Sequence, residues 1–327
     1  MRAIVQAGFG GPEVLEVAEV PNPVAGPGEL LIDVHAAGVN RADLLQRAGH
    51  YPPPPGASPL LGLEASGVVA DIGDGAAGFQ RGDRVMALLN GGGYAERVAV
   101  PAGQALHIPD ELDDVQAAAV MEGVLTAWQG LRRLGRLQSG ETALVHAAGS
   151  GVGTTAVQIA LALGARVIGT SRTREKLALV QSLGAEPLVV ADGHFAEQAM
   201  ALTDGRGVDV ILDLVGARYL PENVTSLNRG GRLVCIGLLA GREAPLNLGE
   251  LLARHATIVG MTIRPLTAEQ KAELTRDFAD WGLPLLADGQ VRPIIHSVVP
   301  FEEARRAHAL LESNDVVGNV VLQVSPI

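Results

Sequence analysis

Between Thr142 and Lys176 the chain reads TALVHAAGSGVGTTAVQIALALGARVIGTSRTREK: an apolar run of strand length, a glycine loop, a helical pattern, a second strand and a basic turn. The helical pattern is the recurrence Val152, Ala156, Ile159, Ala160, Leu163, which Val152 and Gly153 would open. The loop Ala147-Ala148-Gly149-Ser150-Gly151-Val152-Gly153 has no bulky polar side chain to hold a ligand away. Its backbone can approach a pyrophosphate, stabilised by free amides and by the positive end of the following helix. A glycine pattern alone also fits an ordinary strand-to-helix turn; the strand, helix and second strand around it give it weight. Sites for a dinucleotide without a 2′-phosphate usually place Asp or Glu about 20 residues on, against the ribose hydroxyls. Here that place is Thr170-Ser171-Arg172, and Ser171, Arg172, Arg174 and Lys176 offer a hydroxyl and three cations. Arginine is shaped for bidentate contact with phosphate, so these residues point to NADPH rather than NADH. A solvated first helical turn is the other account of the cations.

Bulk properties narrow the class. With 327 residues, 47% hydrophobic and 19% charged, the chain has enough material for two well-packed domains. A formal net charge of -11, without a Lys/Arg run, opposes binding to nucleic acid, whose affinity comes largely from neutralising phosphates. Cys235 is the single cysteine, which excludes a disulfide framework or a thiolate metal cluster and is compatible with a reducing cytoplasm. Met1 to Gly11 lacks the zones of a signal peptide. Thr142 to Ala165 is uncharged and long enough to cross a bilayer, but glycines interrupt its middle, so a soluble, cytoplasmic protein is expected. None of the eight histidines pairs with another at HxxxH spacing. His146 and Cys235 lie in apolar strands and read as packed core residues.

The elements that must carry these residues fall into a pattern. Up to about Pro109 the chain is β-rich, with expected strands at Leu15 to Val20, Glu29 to Ala36, Gly67 to Ile72, Arg84 to Leu88 and Tyr94 to Val100. A helical stretch from Asp113 to Leu134 leads into alternating strands and helices, with strands at Thr142 to His146, Arg166 to Thr170, Pro187 to Ala191, Val208 to Val215, Arg232 to Ile236 and Thr257 to Thr262. That order predicts an α/β, doubly wound parallel sheet of Rossmann type. The remaining elements, helix Ala268 to Leu286, strand Ile294 to Val299, helix Phe301 to Glu312 and strand Gly318 to Val324, are too few for a domain of their own. They are expected to return to the first part, giving a split catalytic domain over residues 1–122 and 264–327 around a nucleotide domain over residues 123–263.

Motifs along the whole chain are similar to those of a known family: GGPEVLEV (Gly10 to Val17), GVNRADLLQRAGHYPPPPGAS (Gly38 to Ser58), GLEASGVV (Gly62 to Val69), GDRVMALLNGGGYAE (Gly82 to Glu96), LTAWQGL (Leu125 to Leu131), VHAAGSGVG (Val145 to Gly153) and VDVILDLVG (Val208 to Gly216). They resemble the medium-chain dehydrogenases/reductases, and within them the zinc-free quinone oxidoreductases related to zeta-crystallin. NRADLLQR, PPPGAS, MALLNGGG and the SGVG loop look most like the tumour-suppressor-induced quinone oxidoreductase branch. The resemblance implies that the split β-rich domain is GroES-like. Zinc-dependent relatives place Cys where this chain has Asn40 and His where it has Leu63. Asp43 and Glu64 alone would make a poor zinc site, so a metal-free enzyme is implied.

The resemblance also implies roles. NADPH would lie between the domains with its nicotinamide facing Asn40, Tyr51 and Thr126. Tyr51 would offer a hydroxyl and Asn40 an amide to an oxygen that becomes negative. Equally, Tyr51 packs on Pro52 to Pro55, or Asn40 caps the helix Arg41 to Arg47. Ser150 would donate to a phosphate or substrate oxygen, or is a tolerated small residue. Gly151 and Val152 would meet the pyrophosphate; Gln129, Gly237, Leu238 and Asn319 match cofactor-contacting positions, although each also fits an ordinary helix surface or turn. Met121 replaces a proline common before the acidic residue, so the surroundings of Glu122 are expected to differ. The activity implied is NADPH-dependent, metal-free reduction of a small quinone by transfer from nicotinamide C4. Reduction of activated C=C bonds in enals, enones or enoyl thioesters is the alternative, and an NADPH-binding protein with a structural or RNA-binding role a further one. The uncharged edge strand Ala256 to Ile263 would join a homodimer.

Overall fold

The computed structural model describes residues 1–324 of the chain. The contacts divide it into two compact units, one made of Met1–Leu125 with Ile263–Ile327 and the other of Thr126–Thr262. In chain order, the first part of the first unit holds β1 (Arg2–Gln6), β2 (Leu15–Glu19), β3 (Glu29–Val39), α1 (Arg41–Arg47), β4 (Glu64–Ile72), β5 (Arg84–Leu88), β6 (Arg97–Pro101), β7 (Ala105–His107) and α2 (Asp114–Ala117). The unit boundary falls within α3 (Met121–Trp128). The second unit contains β8 (Thr142–Val145), α4 (Gly151–Ala162), β9 (Arg166–Ser171), α5 (Arg174–Ser182), β10 (Glu186–Val189), α6 (Ala196–Leu202), β11 (Val208–Asp213), α7 (Leu220–Ser226), β12 (Leu227–Cys235), α8 (Leu248–Arg254) and β13 (Thr257–Gly260). The chain ends with α9 (Ala268–Ala287), β14 (Ile295–Pro300), α10 (Ala304–Ser313) and β15 (Asn319–Gln323).

β3 organises the first unit. Its 11 residues are long enough, and its register shifts enough, to serve different partners at its two ends. Glu29 to Asp33 pair with β6, Ala36 to Val39 pair with β15, and β4 runs antiparallel along the other edge. Through β15 the C-terminal segment joins a sheet of order β14-β15-β3-β4-β5-β7, with β6 on β3. Alternate residues Leu30, Ile32 and Val34 of β3 enter a core with Ile4, Leu15, Val69, Val85, Tyr94, Phe301 and Leu322. The expected β strand from Gly67 begins earlier, at Glu64, because Glu64, Ala65 and Ser66 pair with Leu88, Ala87 and Met86. A charged residue at the start of that ladder hid it from the apolar pattern.

The second unit is a parallel sheet of order β10-β9-β8-β11-β12-β13, the doubly wound arrangement expected from alternating strands and helices. Its core gathers Leu144, Ile168, Leu188, Ile211 and Leu233 from successive strands. The expected helical stretch Asp113 to Leu134 is interrupted. α2 stops after one turn, α3 begins at Met121, and Gln129–Leu134 forms a π-helical turn. The break lets the backbone amide of Glu122, a first-turn donor with no intrahelical acceptor, reach the Glu64 carboxylate at 3.0 Å.

Gly67 marks the tightest approach in the β3–β4 ladder: a Cβ there would lie 2.0 Å from the carbonyl oxygen of Asp33. Backbone on both sides cannot yield as a flexible side chain would. Gly67→Ala is therefore expected to lower unfolding free energy by about 1–3 kcal/mol, read as a reduced urea midpoint at unchanged m-value.

Candidate active site

The dinucleotide loop is built by a sharp exit from β8. Ala147 sits at φ 47, a left-handed turn rarely used outside glycine, and Ser150 follows in extended geometry as the N-cap of α4. The Ser150 Oγ accepts from the Gly153 amide at 3.1 Å, so helix α4 opens at Gly151, one residue earlier than expected. Gly151 and Val152 thus present the first-turn amides that no intrahelical carbonyl can satisfy. Gly153 is obligatory for this geometry, since a Cβ would lie 2.3 Å from the Ala147 carbonyl. Ser150 keeps its hydroxyl hydrogen while its oxygen is committed to capping.

The basic turn lies against this loop. Ser171 closes β9, nearly buried, with its carbonyl held by the Val190 amide at 2.8 Å. Arg172 and Arg174 are exposed, and the Lys176 side chain passes over Gly149, where an added Cβ would be 3.3 Å from its Cβ. Loop amides, a hydroxyl and cations are therefore close together within one unit. Beneath them runs a buried chain of hydrogen bonds. The Asp213 carboxylate accepts from Asn223 Nδ2 at 3.0 Å, which leaves Asn223 Oδ1 to accept from His146 Nε2 at 2.6 Å. His146 Nδ1 then accepts from the Thr170 hydroxyl at 2.8 Å. Burial lowers the His146 pKa, and Phe195 and Tyr219 enclose its ring edge-on, so His146 is a structural, neutral imidazole.

Among the other cofactor candidates of this unit, Thr126 is half-buried in α3 and Gln129 begins the π-helical turn. The Gln129 Oε1 is buried without a hydrogen-bond partner, an orphaned acceptor that a bound carboxamide or hydroxyl would satisfy. Gly237 follows β12 where a Cβ would lie 2.4 Å from the Leu214 carbonyl, and Leu238 is 54% exposed. Cys235 is half-buried and its thiol is pushed up to about 11, chiefly by desolvation, which keeps it protonated and unreactive.

In the first unit, Asn40 occupies the N-cap position of α1, but its amide nitrogen donates to Glu64 Oε1 at 2.8 Å. Asp43 reaches back to the Asn40 amide at 2.8 Å and also accepts from the Gly62 amide and the Tyr94 hydroxyl. Asp43 and Glu64 are both fully buried and committed to these donors. Among the described residues no group of three or more His, Cys, Asp or Glu is placed to hold a metal ion. Tyr51 is half-buried, with the Arg264 guanidinium 5.1 Å from its ring centre. Arg264 also donates to the carbonyls of Tyr51 and Asn90 and to Gln46, while Lys271 holds Asn90 Oδ1 and the Arg264 carbonyl. Asn319 is engaged differently, its amide donating to the Ile294 carbonyl at 3.2 Å. Glu122, Arg264 and Lys271 are the functional candidates that motif reading did not select. A buried Arg and a buried Lys leave no local pattern, because their partners lie far away in sequence.

Burial raises Glu64 to about 8, with Asn40 and the Glu122 amide opposing the rise, and raises Asp43 to about 6. A carboxyl raised in the folded state binds its proton more tightly there than in the unfolded chain. Its stabilising contribution is complete below the unfolded value and is lost as pH climbs through the folded one. The melting temperature should accordingly fall between about pH 5 and pH 8. Glu64→Gln is expected to flatten that fall, as differential scanning calorimetry across the range would show.

With this geometry in place, comparison with known proteins gives a consistent result. Residues 26–110 match the alcohol dehydrogenase GroES-like domain and residues 151–279 the zinc-binding dehydrogenase domain. Quinone oxidoreductase of Rattus norvegicus is 32% identical over 98% of this chain and 97% of its own length, and that of Pseudomonas aeruginosa 35% identical over 97% of each. The crystal structure of Escherichia coli quinone oxidoreductase complexed with NADPH superposes with a TM-score of 0.87 at 30% identity, covering 99% of this chain and 100% of that one. The chain belongs to the quinone oxidoreductase family of the medium-chain dehydrogenase/reductase superfamily.

Proposed function

We propose that this protein is an NADPH-dependent, metal-free quinone oxidoreductase in which nicotinamide C4 supplies the reducing equivalent. The observation that carries the reading is the pairing of a phosphate-ready glycine loop with a basic turn at the end of β9 where an acidic residue would favour NADH. Gly151 and Val152 would hold the pyrophosphate through their amides, Ser171, Arg172 and Lys176 the 2′-phosphate, and Gln129, Thr126, Gly237 and Leu238 the remainder of the cofactor. Bound NADPH supplies a hydride; the protein supplies binding, orientation and charge.

Asn40 and Tyr51 are the groups proposed to face the reducible carbonyl. Glu64 fixes the Asn40 amide, and Arg264 fixes Tyr51 by its backbone carbonyl and by stacking on its ring. Preorganised donors of this kind stabilise developing negative charge on oxygen without a metal ion. Asp43 and Glu64, which would be the acidic ligands of any metal, spend their oxygens on the chain itself. A homodimer is part of the proposal. β13 is an edge of its sheet, it carries no charge, and Leu248 and Leu252 of neighbouring α8 are 63% and 74% exposed.

Purified, chelator-treated protein is expected to oxidise NADPH with an ortho-quinone faster than with an alkenal or enoyl thioester. Turnover confined to the latter two would reassign the reaction to C=C reduction, and chelator sensitivity would overturn the metal-free reading. Arg172→Ala should raise the KM for NADPH about 10- to 100-fold while leaving NADH kinetics nearly unchanged, as loss of a charged hydrogen bond to phosphate requires. Light scattering at micromolar concentration should return twice the chain mass, and Val259→Lys should return the monomer.

A further inference from the structure

We propose that Glu122 is the acid that protonates the reduced substrate oxygen, a role that rests on the quinone reductase reading above. The first unit holds a polar cluster of buried and half-buried groups. Its carboxyl groups are Asp43 on α1, Glu64 on β4 and Glu122 at the start of α3. Asp43 accepts from the Asn40 and Gly62 amides and from Tyr94, and Glu64 from the Asn40 side chain and the Glu122 amide; both are buried away from solvent. Glu122 differs on both counts. Only desolvation and charges act on its carboxyl, with no hydrogen bond to it among the described residues, and the residue retains partial solvent exposure. It is therefore the carboxyl of the cluster free to engage a substrate and to exchange a proton with water.

Its surroundings suit that task. Asp43 repels its charged form, Lys271 of α9 and Arg264 attract it, and Glu64 and Tyr51 feel its charge in turn. Burial outweighs the cations and raises Glu122 to about 7, so protonated and ionised forms coexist at neutral pH. Tyr51 is pushed up from an already high value by burial and by Glu122, which fits it to donate a hydrogen bond and not to give up its proton. A lysine at Lys271, lowered to about 8 by desolvation, provides the counter-charge once Glu122 ionises.

The step balances. Hydride reduction of a quinone leaves a hydroquinone monoanion. The Glu122 O–H bond breaks as the phenolic O–H bond forms, the negative charge moves to the carboxylate, and Glu122 regains a proton from water. A phenol holds its proton with a pKa of about 10, so transfer from Glu122 is downhill.

The test compares wild type, Glu122→Gln and Glu122→Asp with NADPH and an ortho-quinone across pH 5 to 9. Wild-type turnover at any pH is the separate check on the quinone reductase reading. Given that turnover, Glu122→Gln should lower kcat about a hundredfold with NADPH binding intact, and should remove the decline in rate above about pH 7. Glu122→Asp should restore part of the rate and the decline. Wild-type kcat in Glu122→Gln, or a slow variant that keeps the decline, would overturn the proposal. A second measurement needs no turnover: 4-nitrophenol, a product analogue bound with NADP+, is followed by its phenolate absorbance. Its phenol form should be favoured in wild type and lost in Glu122→Gln; identical titrations in the two proteins would also overturn the assignment.

Discussion

The Glu64 carboxyl joins chain segments that sequence keeps apart. One oxygen takes the Asn40 side chain at the entrance of α1 and the other takes the Glu122 amide at the entrance of α3. Removing such a group from water is expensive unless its oxygens are satisfied, so the contact is strongly directional. It fixes the face that Asn40 presents and gives α3 its start after the break that follows α2. The neighbouring Asp43 repeats the device, tying the Asn40 amide to Gly62 and Tyr94. Two carboxyl groups that a metalloenzyme would spend on an ion here hold backbone in place.

Arg264 and Lys271 complete the arrangement from the other end of the chain. Arg264 bridges Gln46, Tyr51 and Asn90, and Lys271 in turn holds Asn90 and the Arg264 carbonyl. Both cations are buried, so their charge is offset by Asp43 and Glu122 rather than by water. The tail that returns to complete the β-rich unit therefore adds charge balance as well as β14 and β15.

Much of this was legible in the order of residues, and the reasons differ by element. Strand β5 and helix α1 have the expected bounds because apolar periodicity and turn residues mark both ends of each. The glycine loop was readable because close backbone approach leaves a compositional trace. The interruption between α2 and α3 was not, since it depends on Glu64, 58 positions from the amide it receives. Arg264 was invisible for the same reason: its Gln46 partner is 218 positions away. Ser150 shows a finer limit. Its type signalled a small polar residue at the loop, whereas its oxygen's allegiance to Gly153 becomes visible only in the folded turn.

The buried chain from Asp213 through Asn223 and His146 to Thr170 has a polarity. A carboxylate can only accept, so each hydrogen in the chain points toward Asp213, and the imidazole is held as its Nε2–H tautomer. Direction is thereby transmitted from the end of β11 to the end of β9, where Thr170 precedes the basic turn. Asparagine at position 213 would be close to isosteric, yet it would introduce donors where the chain needs a pure acceptor. Amide and carboxylate are interchangeable in volume here, but only the carboxylate accepts at both oxygens and so imposes a single order on the protons between the two strands.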